Sequence, residues 1–202
     1  MDVKNDGHPG STQRLGLAAA PNGLCLVQDL VNTAGMAVPA FPDLLGEPAS
    51  AQDWLDGALH VWTEQTGQAP PRLSLAEHDL DRLRDLRDRL RGRLAGEAGD
   101  PTWHPLTLSL SHQGGRVTYR PEGDGADGVA SLVWTETLLA AHTGTLTRLK
   151  TCANPACGAA FYDMSRNGSR VWHDVKTCGN LHNLRASRAR RRTSAETAHP
   201  IA

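Results

Sequence analysis

The sequence Cys152-Ala-Asn-Pro-Ala-Cys157 is followed by His173 after 15 intervening residues and by Cys178 after four more. Two ligand pairs separated by a loop are typical of a tetrahedral zinc site, because each pair supplies soft or borderline donors from one stretch of backbone. Four protein ligands leave no coordination position for water, so we predict one structural Zn²⁺ and no enzymatic activity. His182, four residues after Cys178, is an alternative fourth ligand.

The charge of the chain is divided unevenly. Residues 1–149 contain 12 Lys and Arg against 19 Asp and Glu, a net charge of −7, whereas residues 150–202 contain 9 against 3, a net charge of +6. A basic module beside an acidic body is typical of proteins that bind a polyanion, most often nucleic acid. A solubilising terminal helix is the alternative interpretation of the arginine run.

Residues 180–192 contain neither Pro nor Gly and have the composition of a helix on which arginines recur at helical spacing. The planar guanidinium matches phosphate oxygens, so we predict DNA as the partner. The predicted nucleic-acid contacts are Arg166, Arg170, Lys176, Arg185, Arg188, Arg190, Arg191 and Arg192.

The metal module also has the signals of a treble-clef-like zinc finger, which is a knuckle, a hairpin and a helix in that order. Pro155 and Gly158 shape the knuckle. The predicted hairpin joins strands at 159–162 and 170–172 through the favoured turn Asn167-Gly168. We place this finger at residues 148–193.

Upstream, residues 23–147 are predicted to form an α+β domain, with flexible tails at 1–22 and 194–202. The hydrophobic periodicity predicts helices from residue 24 to near Gly35 and at 53–67, 74–94 and 129–142. The alternating pattern at 106–120 predicts a small antiparallel hairpin. Ser74 and Glu77 form a capping-box pattern, and Gly114-Gly115 forms the hairpin turn. We expect the 129–142 helix to pack against the hairpin through Leu132, Val133, Leu138 and Leu139. Trp54, Trp62, Trp103 and Trp134 are the predicted core anchors.

Other classes of protein fit the sequence less well. The histidines at positions 60, 78, 104, 112 and 142 form no metal-binding or catalytic motif, and the chain has no apolar stretch of membrane-spanning length. Cys25 is the single cysteine outside the metal cluster, so a disulfide framework would have to use the metal ligands. We therefore predict a cytoplasmic protein with no membrane partner.

The residues of the metal module resemble a known family, the CGNR zinc finger, over 149–192. The matching motifs are Cys152-Ala-Asn-Pro-x-Cys157, Phe161-Tyr162-Asp163, Ser165 to Arg170, Trp172 and Thr177-Cys178-Gly179-Asn180. Upstream, residues 24–33 resemble the N-terminal (ABATE) domain that accompanies this finger in bacterial proteins described as stress-induced transcription regulators. The resemblance implies a zinc-binding, DNA-binding transcription regulator that responds to stress, with a sensory N-terminal domain that binds a small-molecule effector.

Two positions depart from the family pattern. Leu181 stands where the family has its namesake arginine, which removes a contact expected there. His173 stands where relatives often have cysteine, and three thiolates with one neutral imidazole give the zinc site a formal charge of −1. The alternatives left open are a small-molecule sensor or protein-interaction module, a zinc hydrolase with an open coordination position, and either a monomer or a homodimer.

Overall fold

The computed structural model describes residues 10–36, 40–97 and 106–180. These residues form an α+β fold, as predicted, that contains helices and two small antiparallel sheets of two strands each. The elements are α1 (Leu24–Val31), α2 (Pro48–Thr66), α3 (Glu77–Leu94), β1 (Leu108–Gln113), β2 (Arg116–Pro121), α4 (Gly125–His142), β3 (Leu149–Thr151) and β4 (Ala160–Tyr162). No helix in these ranges is long and apolar enough to span a membrane.

Helix α1 is the centre of the fold. All eight of its residues are buried, which explains why its sequence is apolar on almost every side. It contacts α2, α3, α4 and strand β4. Its two polar residues, Gln28 and Asp29, are buried as well and bind backbone groups of neighbouring segments.

Three helix starts differ from the sequence-based predictions. Helix α2 begins at Pro48 rather than residue 53, because proline is compatible with the first turn of a helix. Helix α4 begins at Gly125 rather than residue 129. Helix α3 begins at Glu77 rather than residue 74. The predicted Ser74–Glu77 capping box is wrong, since the Asp79 carboxylate accepts the Ala76 amide at 2.9 Å.

Asp79 caps two helices at once. Besides Ala76 at the start of α3, its carboxylate accepts the backbone amide of Ala126 in the first turn of α4 at 2.8 Å. Burial alone would raise the pKa of Asp79, but the hydrogen bonds from the Ala126 and Ala76 amides lower it below its usual value. The space for this carboxylate exists because residue 125 is glycine with a φ of +51°, and a Cβ there would lie 2.5 Å from an Asp79 oxygen.

The β1–β2 hairpin forms as predicted but packs differently. Its turn, Gly114-Gly115, has positive φ at both positions, and Leu110 pairs with Tyr119. Of the α4 residues predicted to pack against the hairpin, Leu132 and Val133 are buried in the core, whereas Leu138 and Leu139 are 59% and 45% exposed. Leu110 of the hairpin is 70% exposed. Tyr119 joins the hairpin to α2, because its ring and the Trp62 ring pack in a T-shaped arrangement with 6.2 Å between their centroids.

The tryptophan predictions have mixed outcomes. Trp54 and Trp62 are buried core anchors, as predicted. Trp134 is half-buried, and the Arg93 guanidinium lies over its ring at 6.0 Å. Trp103 lies outside the described residues.

The N-terminal segment from residue 10 is folded, which corrects the predicted flexible tail over residues 10–22. Residues 1–9 and the tail predicted at 194–202 lie outside the described residues. Ser11 and Thr12 are buried, and the Thr12 amide donates to the Asp29 carboxylate at 2.8 Å. Farther along, the Ala20 amide donates to the Gln28 side chain at 2.6 Å. Contacts with residues distant in sequence hold this segment, so its local composition gave no sign of them.

Strand β4 pairs with β3 and not with residues 170–172, which corrects the predicted hairpin of the metal module. The small sheet then joins the main core, because Leu149 and Ala160 pack within it. Asn32, just past α1, accepts the Ala160 amide at 2.8 Å and donates to the Ala160 carbonyl at 3.0 Å. The domain boundary predicted between residues 147 and 148 therefore separates residues that share one hydrophobic core.

Candidate metal centre

Four predicted ligands converge in the structure. One donor atom from each of Cys152, Cys157, His173 and Cys178 lies within 4.8 Å of the other three. A tetrahedral zinc with Zn–S bonds of about 2.3 Å places its sulfur ligands about 3.8 Å apart, so the cluster is compact enough for one ion. The three thiols are buried, and three sulfurs with one imidazole are a donor set that zinc prefers.

The knuckle is formed by backbone hydrogen bonds around Asn154. Its carbonyl accepts the Cys157 amide at 2.8 Å and the Gly158 amide at 3.0 Å, while the Cys152 amide donates to Ala159 at 2.8 Å. Gly158 has a φ of +59°, a conformation that favours glycine. This turn places the Cys152 and Cys157 side chains on one side of the loop.

Asn154 also contacts the second ligand pair. Its side-chain amide donates to the Cys178 sulfur at 3.3 Å and is itself buried. A hydrogen bond to a metal-bound thiolate offsets part of the negative charge on sulfur and fixes its direction. The sequence reasoning did not assign this role to Asn154, although the residue lies between the two cysteines of the knuckle.

His173 and Cys178 reach the cluster from the opposite side. The His173 Nδ1 lies 3.3 Å from the Cys157 sulfur. Cys178 lies in the π-type turn Val175–Gly179, which Asp174 caps by accepting the Lys176 amide at 2.6 Å. Gly179 allows that turn to pass against the Trp172 ring.

The electrostatics of the cluster favour a bound cation. Hydrogen bonds from the Cys157 thiol and from His173 lower the pKa of Cys152, whereas the neighbouring Cys152 thiolate and burial raise the pKa of Cys157. Two thiolates in contact repel each other, so one sulfur keeps its proton. A divalent cation removes that penalty and allows every thiol to ionise. By contrast Cys25 lies in the main core, where burial raises its pKa to about 12.

The loop between the ligand pairs is held by a buried carboxylate that the sequence reasoning missed. Asp163 is fully buried and accepts the Lys150 ammonium at 2.9 Å and the Arg170 amide at 2.8 Å. Burial would raise the pKa of Asp163, but hydrogen bonds from Ser165 and Lys150 hold it far below its usual range. Arg148 adds hydrogen bonds to the Asp163 and Ser165 carbonyls at 2.9 and 2.8 Å.

An apolar cover closes the cluster. The cysteines pack with Trp172 and with side chains from the N-terminal part of the chain, which are Leu15, Leu17 and Met36. The cluster is therefore completed by residues far outside the metal module.

The predicted nucleic-acid contacts fall into three groups. Arg166 and Lys176 are exposed, and neither side chain bonds to another of the residues that the structure describes. Arg170 is half-buried, with its guanidinium over the Phe161 ring at 5.5 Å and donating to the His173 carbonyl, so it supports a metal ligand. The remaining contacts, Arg185, Arg188, Arg190, Arg191 and Arg192, lie outside the described residues, as do Leu181 and the alternative ligand His182.

Comparison with known proteins identifies the same segment. Residues 148–191 match the family model of the CGNR zinc finger. No curated protein matches the chain. The match and the four-ligand cluster together confirm the prediction of one structural zinc ion. The resemblance of residues 24–33 to the accompanying N-terminal domain stays a prediction.

Proposed function

Because residues 148–191 are a CGNR zinc finger, we propose that this chain is a DNA-binding regulator of transcription whose zinc site is structural. The observation that carries the proposal is the position of the positive charge. The net charge of +6 in residues 150–202 belongs to the metal module, whereas residues 1–149 carry −7. Four protein donors fill the zinc coordination sphere, which supports a structural rather than a catalytic role for the metal.

The described cations of the finger differ in what they offer to phosphates. Arg166 and Lys176 flank the ligand His173 in sequence and are exposed. The loop that carries Arg166 is held by Asp163 and Arg148, so the side chain extends from a fixed backbone. Cations on a rigid scaffold lose less conformational entropy on binding than cations on a tail. In the proposal these two residues bind phosphates, and the segment 180–192, for which the sequence predicts a helix, binds in a groove of the DNA.

Salt dependence of DNA binding tests the proposal. The zinc-loaded protein is titrated into a pool of random-sequence duplexes at several salt concentrations. Each phosphate contact contributes about −0.9 to the slope of log K against log[salt]. The Arg166→Ala/Lys176→Ala variant should therefore make the slope less steep by about 2. Arg72 and Arg89 are exposed cations of the body, and Arg72→Ala/Arg89→Ala is the matched control for net charge.

The proposal fails if the wild type does not bind duplex DNA at low salt or if the two double variants have the same slope. An Arg185→Ala/Arg188→Ala variant extends the test to the segment 180–192. Selection of bound duplexes by the wild type then gives the recognised sequence, and its loss in this variant assigns recognition to that segment.

A specific observation favours a protein partner as the second candidate. In the part of the finger that the structure describes, three large apolar side chains are exposed, with Met164 at 73%, Val175 at 54% and Val171 at 47%. Phosphate binding does not require exposed apolar side chains, whereas protein interfaces bury them. A Met164→Asp variant that binds DNA like the wild type but loses a co-purifying protein would support this candidate.

A further inference from the structure

Glu136 is a buried carboxyl group that the zinc site and the proposed DNA contacts do not use. It lies in the middle of α4, is 3% exposed, and is the only charged residue between positions 129 and 141. Its Oε1 accepts the Trp62 indole N–H at 2.7 Å and also the Tyr119 hydroxyl. Both bonds end on the same oxygen. Within the described residues, Oε2 accepts no hydrogen bond.

The chain makes room for this second oxygen. A Cβ at position 23 would lie 1.7 Å from Oε2, so the carboxylate occupies space that only glycine leaves free. Oε2 therefore lies against the backbone at the start of α1, next to Asn22, whose φ is +53°. Glu136 and these two residues line a cavity of about 270 Å³.

A glutamine at position 136 would satisfy Trp62 and Tyr119 equally well, because its amide oxygen accepts both bonds. The carboxyl adds a negative charge and a second strong acceptor at a residue that is only 3% exposed, and moving a charge out of bulk water without an ion-pair partner destabilises the fold. Burial accordingly raises the pKa of Glu136, although the Tyr119 and Trp62 hydrogen bonds oppose the shift. An acid that is unfavourable for folding and faces a cavity is expected where a ligand binds.

The remaining walls of the cavity define the ligand. Among the described residues that line it there is no Lys, Arg or His, and Glu136 is the only carboxyl group. Leu139 and Ala140 supply an apolar wall, and Gln65 and Thr143 are polar. The volume is slightly below the range of about 300–1,000 Å³ that is typical of sites for drug-sized ligands. The geometry points to a site for a small protonated amine, with its ammonium group on Glu136 Oε2 and its short apolar body against Leu139 and Ala140.

The Trp62 indole proton reports directly on this site, because its acceptor is the same carboxylate. We would label the tryptophan indole nitrogens with ¹⁵N, assign Trp62 with a Trp62→Phe variant, and titrate n-butylammonium, butyrate and 1-butanol at constant ionic strength. Butylammonium should shift the Trp62 signal saturably, with a Kd on the order of 1 mM for a ligand of this size. Butyrate and butanol should bind at least about tenfold more weakly.

Two variants test the role of the carboxylate. Glu136→Gln keeps the acceptor for Trp62 and Tyr119 and should weaken butylammonium binding at least about tenfold. Gln65→Lys, at an exposed position of the cavity wall, places a competing ammonium nearby and should weaken binding similarly. Gln113→Lys, exposed and away from the cavity, is the control with the same charge change.

The proposal is overturned if butylammonium does not bind, if butyrate or butanol binds as tightly, or if Gln65→Lys and Gln113→Lys have the same affinity. Unchanged affinity in a folded Glu136→Gln variant would overturn it as well. None of these measurements involves DNA, so the amine site stands or fails independently of the proposed function.

Discussion

Replacing Asn32 with alanine should destabilise the whole fold, because this side chain joins the helical body to the metal module. Its amide pairs with both backbone groups of Ala160, at 2.8 and 3.0 Å, and donates to the Thr12 hydroxyl at 3.1 Å. Gln28 still donates to the Ala160 carbonyl at 3.2 Å in the variant, but the Ala160 amide loses its acceptor. A buried donor without a partner costs about 1–3 kcal/mol, and the lost packing raises the total to about 2–4 kcal/mol.

Urea unfolding of the zinc-loaded protein, followed by tryptophan fluorescence, measures this loss. With a slope of about 2 kcal/mol per molar urea, the midpoint should fall by about 1–2 M. Asn167→Ala is the control, since Asn167 is exposed in the loop of the finger and its removal should change stability by less than about 0.5 kcal/mol. An equally small loss for Asn32→Ala would refute the reasoning. Two separate transitions in the wild type would also contradict a shared core.

Three further predictions concern single contacts. Asn154→Ala removes the hydrogen bond to the Cys178 sulfur and should lower zinc affinity about 10–100-fold, measured by competition with a chromogenic chelator. If Asn154→Ala and the control Asn167→Ala bind zinc with the same affinity, this prediction is contradicted. Gly125→Ala introduces a Cβ 2.5 Å from the Asp79 carboxylate and should lose about 2–4 kcal/mol of unfolding free energy in urea. Gly144 also has a positive φ but no neighbouring atom that a Cβ would meet, so Gly144→Ala should lose only about 1–2 kcal/mol. Equal losses would exclude the steric contact. Asp79→Asn keeps one acceptor oxygen for the Ala76 and Ala126 amides and should lose about 1–3 kcal/mol at pH 7. Part of this loss depends on pH, because the pKa of Asp79 is lowered in the fold and its carboxylate therefore stabilises the fold above the unfolded pKa of about 3.9. That difference should narrow as the pH falls below about 4 and Asp79 becomes protonated, and a constant difference from pH 7 to pH 3 would show that the charge is not the cause.

Local patterns in the sequence were sufficient to predict much of the structure. Leucines at helical spacing predicted the buried face of α3, and Gly114-Gly115 predicted the hairpin turn. The spacing of the three cysteines predicted a metal cluster, and of the two histidines considered as fourth ligand, His173 lies with them in the structure.

Contacts between distant residues were not predictable in the same way. The strand that pairs with β4 was misplaced because Asn167-Gly168 is a good local turn signal, whereas the actual partner, β3, precedes the knuckle. The N-terminal segment reads as a tail because its buried bonds end on Asp29 and Gln28 of a helix that follows it. Glu136 did leave a signal, a single acid in an apolar helix, which was overlooked.

The apolar cover of the zinc cluster limits how this finger can be transferred to another protein. The residues that match the finger family are 148–191, yet Leu15, Leu17 and Met36 lie on its cysteines and Asn32 pairs with the backbone of β4. A finger excised at the family boundaries would expose thiolate ligands to oxidants and chelators on that side and leave a strand edge free to aggregate. Grafting it onto another protein therefore requires transplanting or redesigning a surface from the first forty residues.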